Sequence, residues 1–352
     1  MKKSLIVLAA LGAFAGVASA QSSVTLFGVV DLSMNSVKNG TTTSKIMSSD
    51  QLNSNRLGFR GTEDLGGGMT AGFWLEGGMA NDTGGTGFNF QRRSTVSLSG
   101  GFGEIRLGRD YTNTFSTIAT FDAYGANGMG SPINLYLAVP SDAALYNRVA
   151  DLGSGATTTV RSNNMIGYFL PGNLGGIYGS VQVSAGEGVK GNKYTGFRLG
   201  YAAGPFDVAA SMANTDVDAA SKYKVANFGA SYNLGVAKIM GFWDQRKFNG
   251  LKYTTTAISA SVPLGQGEFR ASYAKGNASG STATDGNDAT LFGLEYVYNL
   301  SKRTALYGQY GRASNDGSSR VSVISGSAVS AAQNTSGGFS STGYGVGVRH
   351  SF

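Results

Sequence analysis

Residues 56–76, RLGFRGTEDLGGGMTAGFWLE, form two alternating segments separated by a glycine-rich turn. Every second residue of each segment is apolar, and these residues are Leu57, Phe59, Met69, Ala71, Phe73 and Leu75. The positions between them include Arg56, Arg60 and Glu76. Because successive side chains of a β-strand point to opposite faces, this stretch predicts a hairpin with one apolar face and one polar, charged face.

The same period of two recurs along the rest of the chain and predicts sixteen strands. We place them near 23–34, 52–63, 69–78, 89–99, 103–109, 160–170, 177–185, 194–203, 206–214, 224–233, 236–245, 253–262, 267–275, 290–299, 304–312 and 343–352. Tight turns such as EDLGGG and AAGPF alternate with long polar stretches such as KGNASGSTATDGNDA. Short and long connections are therefore expected at opposite ends of the sheet.

The N-terminus has the features of a secretory signal peptide. Lys2 and Lys3 precede an apolar run from Leu5 to Ala18, which ends in the A-x-A cleavage pattern formed with Ala20. We therefore expect residues 1–20 to be a cleaved signal peptide and residues 21–352 to be one mature domain. Without the two signal lysines, the 28 basic residues fall to 26 against 21 acidic ones, a net charge of +5. This excess is too small to indicate nucleic-acid binding.

Composition excludes several functional classes. The chain has no cysteine, which removes disulfides and thiol catalysis, and a single histidine, His350, which disfavours histidine-rich metal sites and catalytic triads. No cofactor or metal is expected. After the signal peptide, no apolar run is long enough for a membrane helix, so any membrane span must consist of strands.

An even number of strands of about 10 residues, with short turns at one end and long loops at the other, is typical of a bacterial outer-membrane barrel. A barrel of about 16 strands is too wide for side chains to fill and holds water. The alternative is a soluble, exported β-sandwich or β-solenoid, in which the apolar faces would meet in a core. Aromatic residues near strand ends and the lack of strands that are apolar on both faces disfavour it.

The chain ends in GYGVGVRHSF, residues 343–352, which alternates up to its last residue. If this strand lies against lipid, Tyr344, Val346, Val348, His350 and Phe352 share its outer face. His350 is then an interfacial residue rather than a catalytic one. An outer-membrane enzyme, which is a competing class, generally needs a histidine in or near the barrel.

Three stretches resemble the general diffusion porins of β-proteobacteria, the group of neisserial, Bordetella, Burkholderia and Comamonas-type porins. They are SNRLGFRGTEDLGGGMTAGFWLE (54–76), RRSTVSLSGGFGEIRLGRD (92–110) and VGVRHSF (346–352). The resemblance implies a homotrimer of 16-stranded antiparallel barrels in the outer membrane. It also implies that the third long loop, from about Asp110 to Val160, folds into the lumen as a constriction. The terminal Phe352 resembles the signal read by the barrel assembly machinery.

In such porins, arginines on the barrel wall face acids or backbone groups of the folded loop. The resemblance places Arg56, Arg92 and Arg161 in this role, and alternation turns Arg56, Arg60 and Arg161 inward. Arg92 is ambiguous, because outward Val96 and Leu98 would turn Arg92 outward and Arg93 inward. The candidate loop acids are Asp110, Asp122, Asp142 and Asp151. Loop lysines, including Lys190, Lys193, Lys222 and Lys252, are interpreted as rim charges that favour solubility.

These features predict a water-filled channel for passive diffusion of small hydrophilic solutes and ions. Positive charge in a low-dielectric wall raises the local anion concentration, so we expect a modest anion preference. The alternative is a substrate-specific channel for an anionic solute. Expected partners are other copies of the chain, outer-membrane lipid and lipopolysaccharide, the barrel assembly machinery and solutes in transit.

Overall fold

The computed structural model describes residues 23–85, 87–137, 151–324 and 337–352. The expected signal peptide and Asp142 lie outside the described residues. All described strands belong to one antiparallel sheet. They are β1 (Ser23–Asn39), β2 (Thr42–Ser49), β3 (Arg56–Gly66), β4 (Met69–Gly78), β5 (Arg93–Gly100), β6 (Gly103–Tyr111), β7 (Arg161–Phe169), β8 (Ile177–Ser184), β9 (Lys193–Ala203), β10 (Phe206–Asp216), β11 (Lys222–Asn233), β12 (Lys238–Phe248), β13 (Leu251–Leu264), β14 (Gly267–Ser279), β15 (Ala289–Asn299), β16 (Thr304–Asn315) and β17 (Ser340–Ser351).

The sheet closes on itself because β17 pairs with β1, from Val29 opposite Ser351 to Asn39 opposite Ser341. β2 and β3 share one position beside β1: β2 pairs with the half from Leu32 to Asn39 and β3 with the half from Ser23 to Val29. The seventeen strands therefore form a closed barrel of sixteen positions, which confirms the predicted fold class. β2 was not predicted.

Between β2 and β3, at residues 50–55, the chain leaves the strand ladder, and a side chain of β1 binds it there. The Asp31 carboxylate accepts hydrogen bonds from the backbone N–H groups of Leu52 at 2.6 Å and Asn53 at 2.5 Å. The Asn55 side chain in turn accepts from the Asp31 backbone N–H. These bonds satisfy backbone donors that leave the strand ladder, so the break costs little in unmade hydrogen bonds.

Alternation along the strands separates an apolar outer face from a polar inner face, as predicted. On β10 and β11, Met212 and Phe228 face outward and are about half exposed, whereas the neighbouring Ser211 and Asn227 face inward and are buried. The tight turn between β3 and β4 needs three consecutive left-handed residues, Gly66, Gly67 and Gly68, with φ of 77°, 62° and 78°. Among the described residues, no helix is long and apolar enough to cross a membrane.

The last strand has the predicted orientation. Tyr344, Val346 and Val348 are exposed on the outer face, as are His350 and Phe352. The Phe352 backbone exchanges two hydrogen bonds of 3.0 Å with Gly28 of β1. A Cβ atom on Gly28 would lie 2.3 Å from the Phe352 ring, so the ring occupies the space above this glycine at the seam of the barrel.

The long connection between β6 and β7 covers residues 112–160, and its described part contains two short helices, α1 (Asn113–Thr120) and α2 (Ile133–Leu137). Thr112 caps α1 by accepting a hydrogen bond from the Phe115 N–H at 3.3 Å. The connection begins after Tyr111, so Asp110 belongs to β6. The expectation that Asp110 is a loop acid is therefore wrong: the strand extends two residues further than its alternation suggested.

Candidate functional site

The inner wall carries a cluster of arginines around one carboxylate, Glu76 on β4. Glu76 Oε1 lies 2.6 Å from Arg92 Nε and 3.6 Å from Arg56 Nη1. Its other oxygen accepts a hydrogen bond of 3.0 Å from the Trp74 indole N–H. Since Glu76 is only 6% exposed, this carboxylate is held in place by the Arg92 and Trp74 donors and by the nearby Arg56 charge.

Arg161 joins the same cluster through Tyr111 at the end of β6. Its guanidinium lies 4.4 Å from the centre of the Tyr111 ring, and its Nε donates to the Arg92 backbone oxygen at 2.7 Å. Arg92 also donates to the Tyr111 hydroxyl at 3.3 Å. The structure thus brings Arg56, Arg92 and Arg161 together. Among the described residues, Glu76 is the ion-pair partner of this trio and the Asp50 carboxylate lines the same cavity, so positive charge is in excess.

The ambiguity over Arg92 has a structural explanation. β5 begins at Arg93, so Arg92 precedes the strand and its direction is not set by alternation. Val96 and Leu98 are exposed on the outer face, and Arg93 accordingly faces inward. Arg92 nevertheless points to the inward Glu76, because its backbone N–H donates to the Glu76 carbonyl oxygen at 3.0 Å.

A second charged cluster, with balanced charges, lies further along the same wall. Arg106 pairs with Glu104 at 2.8 Å and with Asp110 at 2.6 Å, and Arg93 lies 3.4 Å from the Asp110 carboxylate. The Arg93 guanidinium also lies 4.5 Å from the centre of the Trp74 ring. Sequence reasoning did not include Arg93, Glu104 or Arg106 among the site residues.

Arg60 does not join the trio. It is exposed, and its guanidinium stacks near Phe27 and Trp74, 5.3 and 5.1 Å from their ring centres. Arg60 is paired in register with Trp74, four residues along β3 from Arg56. The inward direction predicted by alternation holds, but the distance along the strand separates Arg60 from Glu76.

The two described candidate acids of the long loop bind backbone groups of their own segment. Asp122 accepts hydrogen bonds from the N–H groups of Tyr124 and Ala126 and from the Ser131 hydroxyl, at 2.9, 3.1 and 2.5 Å. Asp151 accepts from two glycine N–H groups further along the loop. Burial raises the pKa of Asp122, since the charged form is removed from water. Asp122 therefore shapes its loop rather than pairing with Arg56 or Arg92.

Residues 121–131 of this loop contact inward-facing glycines on the opposite side of the barrel. A Cβ atom on Gly229 would lie 2.0 Å from the Phe121 ring, and one on Gly293 would lie 2.1 Å from the Gly130 Cα. A Cβ atom on Gly311 would likewise lie 2.6 Å from the Met129 backbone oxygen. These glycines leave the room into which the loop segment fits.

A buried polar network attaches both helices of the loop to β10, β11 and β12. Arg246 and Asp244 form an ion pair of 2.9 Å with both side chains fully buried. Arg246 also donates to the Tyr136 backbone oxygen at 3.1 Å, which holds α2. Asn227 donates to Asp244 at 3.1 Å and to the Thr114 backbone oxygen at 3.0 Å, which holds α1.

Two water-accessible cavities lie on the inner side, one beside the arginine trio and one beside Asp122. One, of about 860 Å³, is lined by Arg92 and Arg161 together with Asp50, Gln51 and Asn55. Burial raises the pKa of Asp50, which lies in the bend between β2 and β3. The other, of about 420 Å³, is lined by Asp122, Arg270 and Arg349 among others. Across the described residues, no group of three potential metal ligands occurs.

Comparison with known proteins agrees with this architecture. A family model described as Gram-negative porin matches residues 7–318. Outer membrane porin protein 32 of Delftia acidovorans is 39% identical over 371 residues, which cover 100% of both chains. An outer membrane porin protein of Bordetella pertussis is 27% identical over 434 residues, again covering 100% of both.

A solved structure, the anion-selective porin from Comamonas acidovorans, superposes with a TM-score of 0.79 at 37% identity. The match covers 94% of this chain and 100% of the other. The chain therefore belongs to the Gram-negative porin family, whose members are β-barrels of the bacterial outer membrane, in agreement with its closed barrel and apolar outer face.

Proposed function

We propose that this outer-membrane porin forms a water-filled channel with a modest preference for anions, set by Arg56, Arg92 and Arg161. The observation that carries the proposal is that three guanidinium groups cluster on the inner wall, where Glu76 pairs with Arg56 and Arg92 while Arg161 lies against Tyr111 and the Arg92 backbone oxygen. Excess positive charge in a wall of low dielectric constant attracts anions and repels cations. The similar porin from Comamonas acidovorans is described as anion-selective, which supports the same preference here.

The third long loop, residues 112–160, narrows the channel in this proposal. Its support is that residues 121–131 fit against inward glycines of β11, β15 and β16, while the trio lies on β3, on β7 and just before β5. Solutes would pass between the loop and the arginines. Because water fills the path, small polar solutes cross without losing their hydration, and the width of this gap limits their size.

Reversal potentials test the selectivity. Purified protein in planar bilayers with a KCl gradient should give a potential of the sign expected for chloride preference. The variant Arg56→Gln/Arg161→Gln should lower this potential, because it removes two of the three positive charges of the trio. The matched control is Arg312→Gln/Arg303→Gln, which removes two charges on the outer face and in a short turn. Cation preference in the unmodified protein would refute the proposal.

We also infer, from the resemblance, that the barrel assembles as a homotrimer, that Phe352 is read by the barrel assembly machinery and that signal cleavage follows Ala20. Native mass spectrometry in detergent measures the subunit number, and N-terminal sequencing of the mature protein locates the cleavage. No catalysis is proposed, so assays of ester and peptide hydrolysis should show no activity above background.

A further inference from the structure

Six lysines face outward where β9 to β14 approach the long loops. We call them the lysine patch: Lys193, Lys222, Lys224, Lys247, Lys252 and Lys275. Their direction follows from alternation, since the neighbouring Tyr223, Arg246 and Tyr253 are buried on the inner side. The patch therefore lies on the surface that faces lipid and not in the channel.

Three of these lysines stand directly opposite one another across adjacent strands. Lys224 is paired in register with Lys247, and Lys247 with Lys252. Like charges at directly opposed positions destabilise a sheet, so this row is unfavourable unless an anion lies against it. Of the described residues, Asp216 is the one that forms ion pairs with the patch. Its carboxylate lies 3.1 Å from Lys193 and 3.2 Å from Lys222. The row of three therefore has no ion-pair partner among the described residues.

A cavity of about 760 Å³ opens beside this row. Lys222, Lys224, Lys247 and Lys252 line it together with Asn249 and Ser279. Phe248 and Leu251 also line it, and since they share the inward parity of Arg246 and Tyr253, the cavity lies at the rim where the two faces meet. Its volume lies within the range of cavities that enclose small ligands, and lysines from three strands line it.

Below the row, the outward positions become apolar. Trp243 and Phe228 are exposed and paired in register, and Ile258 is exposed on the next strand. Trp243 lies four residues from Lys247, or about 13 Å along an extended strand. The lysines therefore mark the rim of the hydrocarbon-facing band. In bacterial barrels the end with long loops faces the cell exterior, so this rim meets the outer leaflet.

We propose that the row Lys224–Lys247–Lys252 binds the phosphate groups of a phosphorylated lipid of the outer leaflet, whose acyl chains lie along Trp243 and Phe228. The phosphates supply the missing counter-charge, and the apolar strip below supplies contact for the chains. This proposal rests on the outer-membrane location but not on the anion preference of the channel, so the two can fail separately.

The test measures lipid binding to the purified full-length porin in detergent by native mass spectrometry. The probes are diphosphorylated lipid A and the same lipid without its phosphates. The variant Lys247→Gln/Lys252→Gln should bind the diphosphorylated lipid roughly 25-fold more weakly, at about fivefold for each lysine near a charged lipid surface. The matched control, Lys302→Gln/Arg303→Gln, loses two charges in a short turn at the other rim and should keep its affinity.

Further measurements distinguish lipid phosphate from free phosphate, and a loss of binding from a loss of the folded barrel. Lys247→Arg should retain binding, and unchanged single-channel conductance shows that each variant barrel is intact. Equal affinity for the dephosphorylated lipid would overturn the proposal. So would displacement of the lipid by millimolar inorganic phosphate, which would indicate a free-anion site. A change in subunit number without loss of lipid affinity would assign the surface to a second copy and also overturn it.

Discussion

Replacing Asp244 by Asn should detach the long loop from the barrel wall. Asp244 and Arg246 have 0% side-chain exposure and are 2.9 Å apart, so the substitution leaves a guanidinium buried without its carboxylate. Breaking a buried ion pair at one partner costs about 3–5 kcal/mol. Because Arg246 also holds the Tyr136 backbone oxygen of α2, most of this cost falls on the contact between loop and wall.

Removing both charges gives the opposite expectation. Asp244→Leu/Arg246→Met leaves no uncompensated charge, and hydrophobic replacement of a buried pair is often close to neutral. Asp216→Asn is the exposed control: its partner Lys193 is 66% exposed in its side chain, so the change should cost less than about 1 kcal/mol.

Thermal unfolding in detergent and single-channel recording provide the measurements. Asp244→Asn should lower the unfolding temperature by on the order of 10 °C and add rapid conductance fluctuations as the loop moves. The double variant and Asp216→Asn should stay close to the unmodified protein. If Asp244→Asn matched Asp216→Asn in both assays, the buried pair would not hold the loop and the reasoning would be wrong.

Three further predictions concern other sites. Glu76→Gln should increase anion preference in reversal-potential measurements, because it removes the one carboxylate paired with Arg56 and Arg92; an unchanged potential would contradict this. Gly28→Leu should slow barrel formation, followed by the electrophoretic shift of folded protein, since a side chain would overlap the Phe352 ring, whereas Gly101→Ala, with nothing near its Cβ position, should not. Burial raises the pKa of Asp122 above 3.8, so its contribution to stability is present below that pH and lost as pH rises through the raised value. Asp122→Asn should therefore flatten the pH dependence of the unfolding temperature above pH 3.8; an identical profile would exclude this role.

The sixteen barrel strands could be predicted because lipid on one side and water on the other impose a strict period of two. β2, with the sequence TTSKIMSS, escaped prediction because its two apolar residues, Ile46 and Met47, are adjacent. Its hydrogen bonds come from β1, and little of its surface is apolar. The helices α1 and α2 were missed for a related reason. Their threonine-rich or very short sequences, NTFSTIAT and INLYL, have weak helix propensity, and packing against the wall stabilises them.

The arginine trio was predictable in part. Alternation gave the direction of Arg56 and Arg161, but the position of Arg92 depends on where β5 begins, and strand ends are set by hydrogen bonding rather than by pattern. The partner Glu76 was on the correct face yet could not be connected to Arg92, because contacts across strands depend on register. The local role of Asp122 was hidden for a different reason, since it depends on the loop conformation that brings two backbone N–H groups and the Ser131 hydroxyl to its carboxylate.

The loop segment that touches Gly229, Gly293 and Gly311 has a mechanical consequence. A barrel of sixteen strand positions has no packed core at its centre, so lateral pressure from the surrounding bilayer would tend to flatten its cross-section. Residues 112–137 contact strands of the wall between β8 and β16. Flattening of the barrel would break these contacts. We therefore expect the segment to act as an internal brace that keeps the cross-section open.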